Sequence, residues 1–220
     1  LCFGIGKVVV HPTHVPLIGK AESIIALVCD IDRGGRFLCD HHHIGMLSLK
    51  PSVKLLEKGY RLTGSDNLET YATKHLRNDL HVPVTIGHKP ENVHGADLVV
   101  YTVAILPDNP ERVEMERLGI PNIERATLLG QLMEGFETAI GVCGAHGKTT
   151  TTSMMTHILM EAQWDPTVMI GGYLPLLRAG HRVGQGDTIV LESCEYCDSF
   201  LNFSPTLAVI LNVEADHLDY

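Results

Sequence analysis

Short apolar runs alternate, from Leu49 onward, with segments whose apolar side chains recur at helical spacing. The first such segment, residues 53–56, ends at Gly59, and a strand is predicted at residues 60–63. Gly64-Ser65-Asp66 has the composition of a turn that closes this strand. The same alternation then predicts a helix over residues 68–76, strands at 82–86 and 98–103, a helix that begins at Asn109-Pro110-Glu111, a strand at 120–123 and a helix over 126–133.

A second unit with the same alternation begins at Thr138. A strand is predicted at residues 139–143, and further strands at 167–170, 188–191 and 207–211. Strands that are apolar throughout, rather than at alternate positions, are typical of parallel sheets covered by helices on both faces. The sequence therefore predicts an α/β fold with two parallel-sheet units. A helix is predicted over residues 149–162, and its apolar side carries Met154, Met155, Ile158 and Leu159.

Composition narrows the classes of function. Hydrophobic residues make up 45% of the 220 positions and charged residues 20%, which is enough apolar surface for an ordered core. The formal net charge of −9 argues against non-specific nucleic-acid binding, which depends on neutralising phosphates. No apolar run approaches the length of a membrane span, and no secretion signal is evident. The six scattered cysteines favour reduced thiols in the cytoplasm over a disulfide framework.

The segment Gly144-Ala145-His146-Gly147-Lys148-Thr149-Thr150 has the composition of a phosphate-binding loop. It follows an apolar strand and opens a helix, which is the context that such a loop requires. Its glycines let successive N–H groups line one concavity, and the helix N-terminus adds a partial positive charge. Lys148 is expected to reach the terminal phosphates and the Thr149 hydroxyl to ligate Mg²⁺. Val142 occupies the position of the first glycine in the strict pattern, so this is a shortened variant.

Two further polar side chains follow predicted strands of the second unit. Glu192 comes directly after the strand at 188–191, and His217 follows the strand at 207–211. Ligands collect at the carboxyl ends of strands in open parallel sheets. The sequence therefore predicts that Glu192 and His217 approach the same edge as the phosphate-binding loop.

Three motifs of the second unit resemble the Mur ligase family. They are the loop from Gly144 to Thr152, Leu191-Glu192-Ser193-Cys194-Glu195-Tyr196, and Asn212-Val213-Glu214-Ala215-Asp216-His217-Leu218-Asp219-Tyr220. Gly64-Ser65-Asp66, Gly87-His88, Ala104-Ile105 and Asp108-Asn109-Pro110-Glu111 resemble the N-terminal uridine-nucleotide domain of the same family. The resemblance runs from Leu49 to Tyr220, and it implies a Rossmann-like N-terminal domain followed by a truncated P-loop ATPase domain with a parallel sheet.

The resemblance implies an ATP-dependent reaction in peptidoglycan precursor synthesis. ATP would phosphorylate the carboxylate of UDP-N-acetylmuramate, and the amine of L-alanine would displace phosphate from the resulting acyl phosphate. By position, Lys148 would act on the transferring phosphoryl group, and Thr149, Glu192 and His217 would surround Mg²⁺. The phosphates of ATP would lie against Gly144, Ala145, His146, Gly147, Lys148, Thr149 and Thr150. The uridine nucleotide would lie against Asp66, His88, Thr102 and Ala104.

The same resemblance divides the chain into three parts. Residues 1–37 form an unassigned leader, residues 38–136 the UDP-substrate-binding domain, and residues 137–220 an incomplete central ATP-binding domain without the family's C-terminal domain. We expect such a fragment to be inactive by itself. The family's first glycine-rich turn corresponds here to residues 39–48, where His41-His42-His43 replaces the glycines and only Gly45, Met46 and Ser48 are kept.

Three alternatives remain open at this point. The first is a member of the same family that recycles a preformed murein tripeptide. The second is an unrelated phosphate-loop enzyme, such as a small-molecule kinase. The third is a non-catalytic remnant that retains nucleotide binding.

Overall fold

The computed structural model describes residues 23–27 as backbone, together with residues 59–102, 105–193 and 196–214. The predicted helix at residues 53–56, the run His41-His42-His43, Ala104 and His217 lie outside these ranges. The described residues form two five-stranded sheets with helices between the strands, so the predicted α/β fold is confirmed.

The first sheet has the strand order β3-β2-β1-β4-β5, and every neighbouring pair is parallel. This is the order of the doubly wound, Rossmann-like fold, in which ligands bind beyond the carboxyl ends of the strands. The central strand, β1, lies within residues 1–37, where the sequence pattern predicted no element. The five strands are β1 (Ser23–Leu27), β2 (Arg61–Asp66), β3 (Val84–Ile86), β4 (Leu98–Tyr101) and β5 (Asn122–Glu124).

Two of the helices of the first unit begin at residues whose side chains accept hydrogen bonds from the free amide groups of the first turn. The Thr70 hydroxyl caps α1, and the Asn109 side chain caps α2, where Pro110 occupies the first turn. Gly119 ends α2 in the left-handed conformation, which glycine adopts without a steric cost. The helical elements are α1 (Tyr71–Asn78), a short 3₁₀ helix (Pro90–Val93), α2 (Pro110–Leu118) and α3 (Arg125–Met133).

Gly64-Ser65-Asp66 belongs to β2 and does not form the predicted turn. These residues pair with Val84, Thr85 and Ile86 of β3, and Gly64 and Ser65 also pair with β1. Gly64 and Ser65 thus have strand partners on both sides and Asp66 has one on one side, so sheet pairing outweighs the local turn preference of these residues. Asp66 is thereby the last residue of β2, an interior strand, at the carboxyl edge of the sheet.

The second sheet has the strand order β10-β6-β9-β7-β8. Its pairs are parallel except for β7 and β8, which form an antiparallel hairpin that the sequence pattern did not predict. Its elements are β6 (Thr138–Cys143), α4 (Lys148–Glu161), β7 (Thr167–Leu174), β8 (Ala179–Arg182), β9 (Thr188–Glu192), a 3₁₀ helix (Tyr196–Asn202) and β10 (Leu207–Ile210). Among the described helices, none is long and apolar enough to cross a membrane.

The helix α3 packs against both sheets. Leu128 and Leu132 join the core of the first sheet, and Leu129 and Met133 join a core cluster with strands of the second sheet. The Thr127 hydroxyl donates a 2.9 Å hydrogen bond to Oδ1 of Asn202, in the 3₁₀ helix that follows β9. The two units therefore share one helix as part of both hydrophobic cores.

Gly130 is the point of closest approach between α3 and this 3₁₀ helix. A Cβ atom at position 130 would lie 2.0 Å from the carbonyl oxygen of Asn202, which is a backbone atom and cannot rotate away. We predict that Gly130→Ala lowers the free energy of unfolding by about 1–3 kcal/mol through overpacking. In an unobstructed helix the same change raises stability by about 1 kcal/mol.

Urea unfolding followed by circular dichroism measures this effect. Gly135→Ala is the matched control, because its Cβ would meet only Leu132 O at 3.4 Å, an ordinary contact. A Gly130→Ala variant as stable as the native chain would contradict the close packing of α3 on the 3₁₀ helix.

Candidate functional site

The loop between β6 and α4 needs glycine at two positions. Gly144 has φ 138° and Gly147 has φ 85°, and side chains disfavour both conformations. Gly147 is the N-cap of α4, and its carbonyl accepts the first helical hydrogen bond, 2.9 Å from the amide of Thr151. The loop therefore turns sharply from the end of a central strand into the N-terminus of a helix, which favours an anionic ligand.

The ammonium group of Lys148 lies over this loop. Its Nζ donates to the carbonyl oxygen of Gly144 at 2.6 Å and to that of Ala145 at 3.2 Å. Lys148 is the first residue of α4, so its charge adds to the positive end of the helix dipole. The loop amides, the helix N-terminus and the lysine together make a positive site in a chain whose net charge is −9.

Glu192 joins three elements at this edge of the sheet. It is the last residue of β9 and lies beside Val142 of β6 in the register of the strands. Its Oε2 accepts a 3.3 Å hydrogen bond from the Thr149 hydroxyl, and its Oε1 accepts a 2.7 Å bond from the amide of Gly171 in β7. The carboxylate is therefore held between the first turn of α4 and the neighbouring strand.

Gly171 and Gly172 lie inside β7, although the sequence pattern placed them after that strand. A Cβ at position 171 would lie 2.6 Å from Oε2 of Glu192, and one at position 172 would lie 3.0 Å from Cγ2 of Thr149. The two glycines thus leave room for the Glu192 and Thr149 side chains. Glycine is favoured at these positions because a side chain would crowd these neighbours, and not because of backbone conformation, since neither residue has a positive φ.

Asn212 holds the phosphate-binding loop from the other side. Its Oδ1 accepts from the amide of His146 at 3.0 Å, and its Nδ2 donates to the carbonyl of His146 at 2.9 Å. A Cβ at position 144 would lie 3.1 Å from the amide nitrogen of Asn212, so the loop and this residue approach closely. Asn212 was not among the predicted site residues, although a polar residue just after an apolar strand is the signal that selected His217.

Among the predicted site residues, Thr149 and Glu192 share a hydrogen bond, and Lys148 directly precedes Thr149 in the first turn of α4. His146 is exposed, and its Nε2 lies 3.5 Å from Oε2 of Glu214. Thr150 is exposed in the first turn of α4.

Within the described ranges, no group of three or more His, Cys, Asp or Glu side chains could hold a metal ion. The hydroxyl of Thr149 and the carboxylate of Glu192 are hard oxygen donors, which fit Mg²⁺ as partial ligands.

The predicted uridine-nucleotide residues lie at strand ends of the first sheet. Asp66 ends β2 and is buried, and its Oδ1 accepts from the amide of Leu68 at 3.0 Å. His88 follows β3, and Thr102 follows β4 and is buried. Three of the four predicted residues therefore share one edge, and the fourth, Ala104, lies outside the described residues.

A buried glutamate that was not among the predicted site residues connects side chains from several segments at this edge. Glu111 is fully buried in the first turn of α2. Its Oε2 accepts from the Ser65 hydroxyl at 2.8 Å and lies 2.7 Å from Nδ1 of His88, and its Oε1 accepts from Nδ2 of Asn92 at 2.5 Å. In the sequence, an acid after Asn-Pro indicates only the start of a helix, so no signal marked its burial.

Two carboxyl groups of the first unit, those of Glu124 and Glu114, have shifted pKa values. Burial raises the pKa of Glu124, which ends β5 at the same edge, and the nearby Arg125 opposes this shift. On the surface of α2, hydrogen bonds from Arg117 and His94 lower the pKa of Glu114 to about 2. Glu114 is therefore charged and pairs with two exposed side chains, whereas Glu111 on the same helix is fully enclosed.

Comparison with protein families gives two matches along the chain. Residues 44–137 match the model described as Mur ligase family, catalytic domain. Residues 142–220 match the Mur ligase middle domain. Strands β2 to β5 lie in the first matched region and strands β7 to β10 in the second, whereas β1 precedes both regions and most of β6 falls between them.

Two curated relatives have the name UDP-N-acetylmuramate–L-alanine ligase. The protein from Alkaliphilus metalliredigens is 46% identical over 178 residues, which is 80% of this chain and 38% of the relative. The protein from Caldanaerobacter subterraneus subsp. tengcongensis is 49% identical over 166 residues, which is 76% of this chain and 36% of the relative. The chain thus spans less than half the length of the relatives that it matches.

Solved structures show the same fold. The UDP-N-acetylmuramate-alanine ligase from Thermotoga maritima superposes with a TM-score of 0.73 at 28% identity, covering 90% of this chain and 43% of that one. A ligase for UDP-N-acetylmuramate and L-alanyl-gamma-D-glutamyl-meso-diaminopimelate from Neisseria meningitides gives a TM-score of 0.72 at 24% identity, covering 89% of this chain and 62% of that one, and supports the fold alone. Because the two family models together cover most of the chain, and the relatives are 46% and 49% identical over 80% and 76% of it, this chain belongs to the Mur ligases.

Proposed function

We propose that this chain is the nucleotide-binding part of an ATP-dependent ligase that joins L-alanine to UDP-N-acetylmuramate in peptidoglycan precursor synthesis. The observation that carries the proposal is the Glu192 carboxylate, held between the Thr149 hydroxyl and the Gly171 amide beside the phosphate-binding loop. A loop with a lysine, a hydroxyl and a carboxylate at one strand edge is the arrangement that phosphoryl transfer needs. The name of the curated relatives supports this choice of substrates.

The residues of this chain would act mainly by positioning and by charge. The loop amides and Lys148 would hold the terminal phosphates of ATP and stabilise negative charge as the phosphoryl group moves to the muramyl carboxylate. Thr149 and Glu192 would hold Mg²⁺, with His217 as a further proposed ligand. The bound ion would neutralise charge on the β- and γ-phosphates. The amine of L-alanine would then displace phosphate from the acyl phosphate.

The first domain would hold the uridine nucleotide at the edge formed by Asp66, His88, Thr102 and Ala104. We assign this domain to residues 38–136, together with β1, and the central ATP-binding domain to residues 137–220. Because both proposed nucleotides are intracellular metabolites, the proposal places the protein in the cytoplasm. The relatives are more than twice as long, so we expect the complete reaction to need parts that these 220 residues do not supply.

The first test removes the lysine of the loop. We predict that Lys148→Ala weakens binding of Mg²⁺-ATP by about 10- to 100-fold, because a hydrogen-bonded charge pair with the phosphates is lost. Isothermal titration calorimetry on the 220-residue chain measures the affinity. Lys74→Ala is the control, since it removes the same charge from an exposed pair with Glu69 in the first unit. Equal affinities for Lys148→Ala and the native chain would remove the loop from ATP binding.

The second test displaces Glu192 without altering it. In Gly171→Ala the new methyl group would occupy the place of Oε2, and the end of this flexible side chain would move. We predict that the Mg²⁺ concentration needed for half-maximal ATP binding rises about tenfold, while the urea midpoint stays close to that of the native chain. Gly135→Ala is the control for adding a methyl group. An unchanged Mg²⁺ titration would count against a metal-binding function of Glu192.

The third test concerns the two hydrogen bonds between the Asn212 side chain and the backbone of His146 in the loop. In Asn212→Asp the side chain can still accept from the His146 amide, but it cannot donate to the His146 carbonyl and it adds a negative charge. We predict about tenfold weaker binding of Mg²⁺-ATP in the same calorimetric assay. Asn122→Asp is the matched control, because it also loses a hydrogen bond to a backbone carbonyl, that of Ile120, in the first sheet. If both variants bind ATP like the native chain, Asn212 does not support the loop.

A further inference from the structure

We propose that Glu111 is a positioning residue for the uridine-nucleotide edge, through which His88, Ser65 and Asn92 are held in place. This inference rests on the proposed function of the first domain and adds to it the group that organises the site. Glu111 is fully buried, and the His88 side chain is only 4% exposed. An acid is an expensive residue for an interior position unless its oxygens are hydrogen-bonded.

The partners of Glu111 come from three separate segments of the first unit. Ser65 lies in β2 next to Asp66, His88 follows β3, and Asn92 belongs to the 3₁₀ helix. All three approach the same carboxylate, and Glu111 itself is fixed because its amide donates at 2.9 Å to Oδ1 of the N-cap Asn109. An apolar side chain here would leave these three donors without their acceptor, so the carboxylate serves to orient polar groups.

The position of the carboxylate determines the orientation of the imidazole. A carboxylate only accepts hydrogen bonds, so Nδ1 of His88 is the donor at 2.7 Å. With the proton on Nδ1, the tautomer and the direction of Nε2 are both set by Glu111.

Asn92 extends the arrangement to the backbone, since its Nδ2 also donates to the carbonyl of Gly87 at 3.1 Å. The Gly87 amide in turn donates to the carbonyl of Asp66 at 2.8 Å. One buried acid therefore connects two of the residues that we assign to the nucleotide.

The test exchanges the carboxylate for an amide of the same shape. In Glu111→Gln one oxygen remains to accept hydrogen bonds, and the new NH₂ group faces either Asn92 or the pair Ser65 and His88 as a second donor. We expect UDP-N-acetylmuramate to bind at least about tenfold more weakly to this variant of the 220-residue chain, measured by calorimetry. Glu114→Gln on the same helix is the control, because its partners Arg117 and His94 lie on the surface, and we expect it to bind like the native chain.

A second measurement uses the native chain and does not depend on the variant folding. Long-range ¹H–¹⁵N correlation at pH 8, with His88 identified by the loss of its signals in His88→Gln, reports which ring nitrogen carries the proton. We expect the Nδ1–H tautomer, and a bare Nδ1 would overturn the inference. If Glu111→Gln and the native chain bind UDP-N-acetylmuramate with equal affinity, the positioning function of Glu111 is wrong, but the proposed function of the first domain is not affected. If the native chain does not bind this nucleotide, the proposed function of the first domain is contradicted as well.

Discussion

The hydrogen bonds of the Glu192 carboxylate are the constraint on which the candidate ATP site depends. They connect the hydroxyl of Thr149 in α4 with the amide of Gly171 in β7. The side chain therefore bridges the N-terminus of a helix and a strand of the sheet. This is possible because β9 lies between β6 and β7, which places the end of β9 beside the start of α4. The crossover topology of the sheet, and not the loop alone, therefore creates the site. The glycines of β7 are part of the same constraint, since any larger side chain at position 171 competes with the carboxylate for space.

Each of the two units contains a glutamate that connects separate segments, but the two glutamates differ in burial. In each, a glutamate joins segments that are far apart in sequence at the carboxyl edge of a parallel sheet. Glu192 is half-buried and makes only two described hydrogen bonds, so its oxygens stay accessible to a cation. Glu111 is fully buried and has side-chain donors on both oxygens, which suits a structural support better than a ligand. The difference in burial thus separates a residue that would touch the metal from one that would act through its neighbours.

Much of the fold and part of the site could be predicted from the sequence, and the failures have definite physical reasons. The loop from Gly144 to Thr150 was found because its glycines, lysine and strand-to-helix context are local features. The helix α4 was also found, but Met154 and Ile158 are more than half exposed, whereas Thr152 and Thr156 are buried. The polarity of the side chains alone does not determine which face of a helix the sheet covers. The strand β1 and the pairing of Gly64-Ser65-Asp66 were missed because they depend on neighbours that only the folded sheet supplies.

The site residues that were missed share one property, which is that their function lies in a contact with a distant segment. Asn212 and His146 are 66 residues apart in sequence, and Glu111 and Ser65 are 46 apart. Such contacts require the ends of parallel strands to meet, and the strand order is not written in any local pattern. For the same reason, the family resemblance was informative about these contacts where composition was not. The residues of a family motif come together in the folded members of the family. The motif could therefore connect Glu192 with the loop without knowledge of the strand order in the sheet. Glu111 lay within a resembling segment, yet its function could be inferred only from its burial and from the three donors that converge on it.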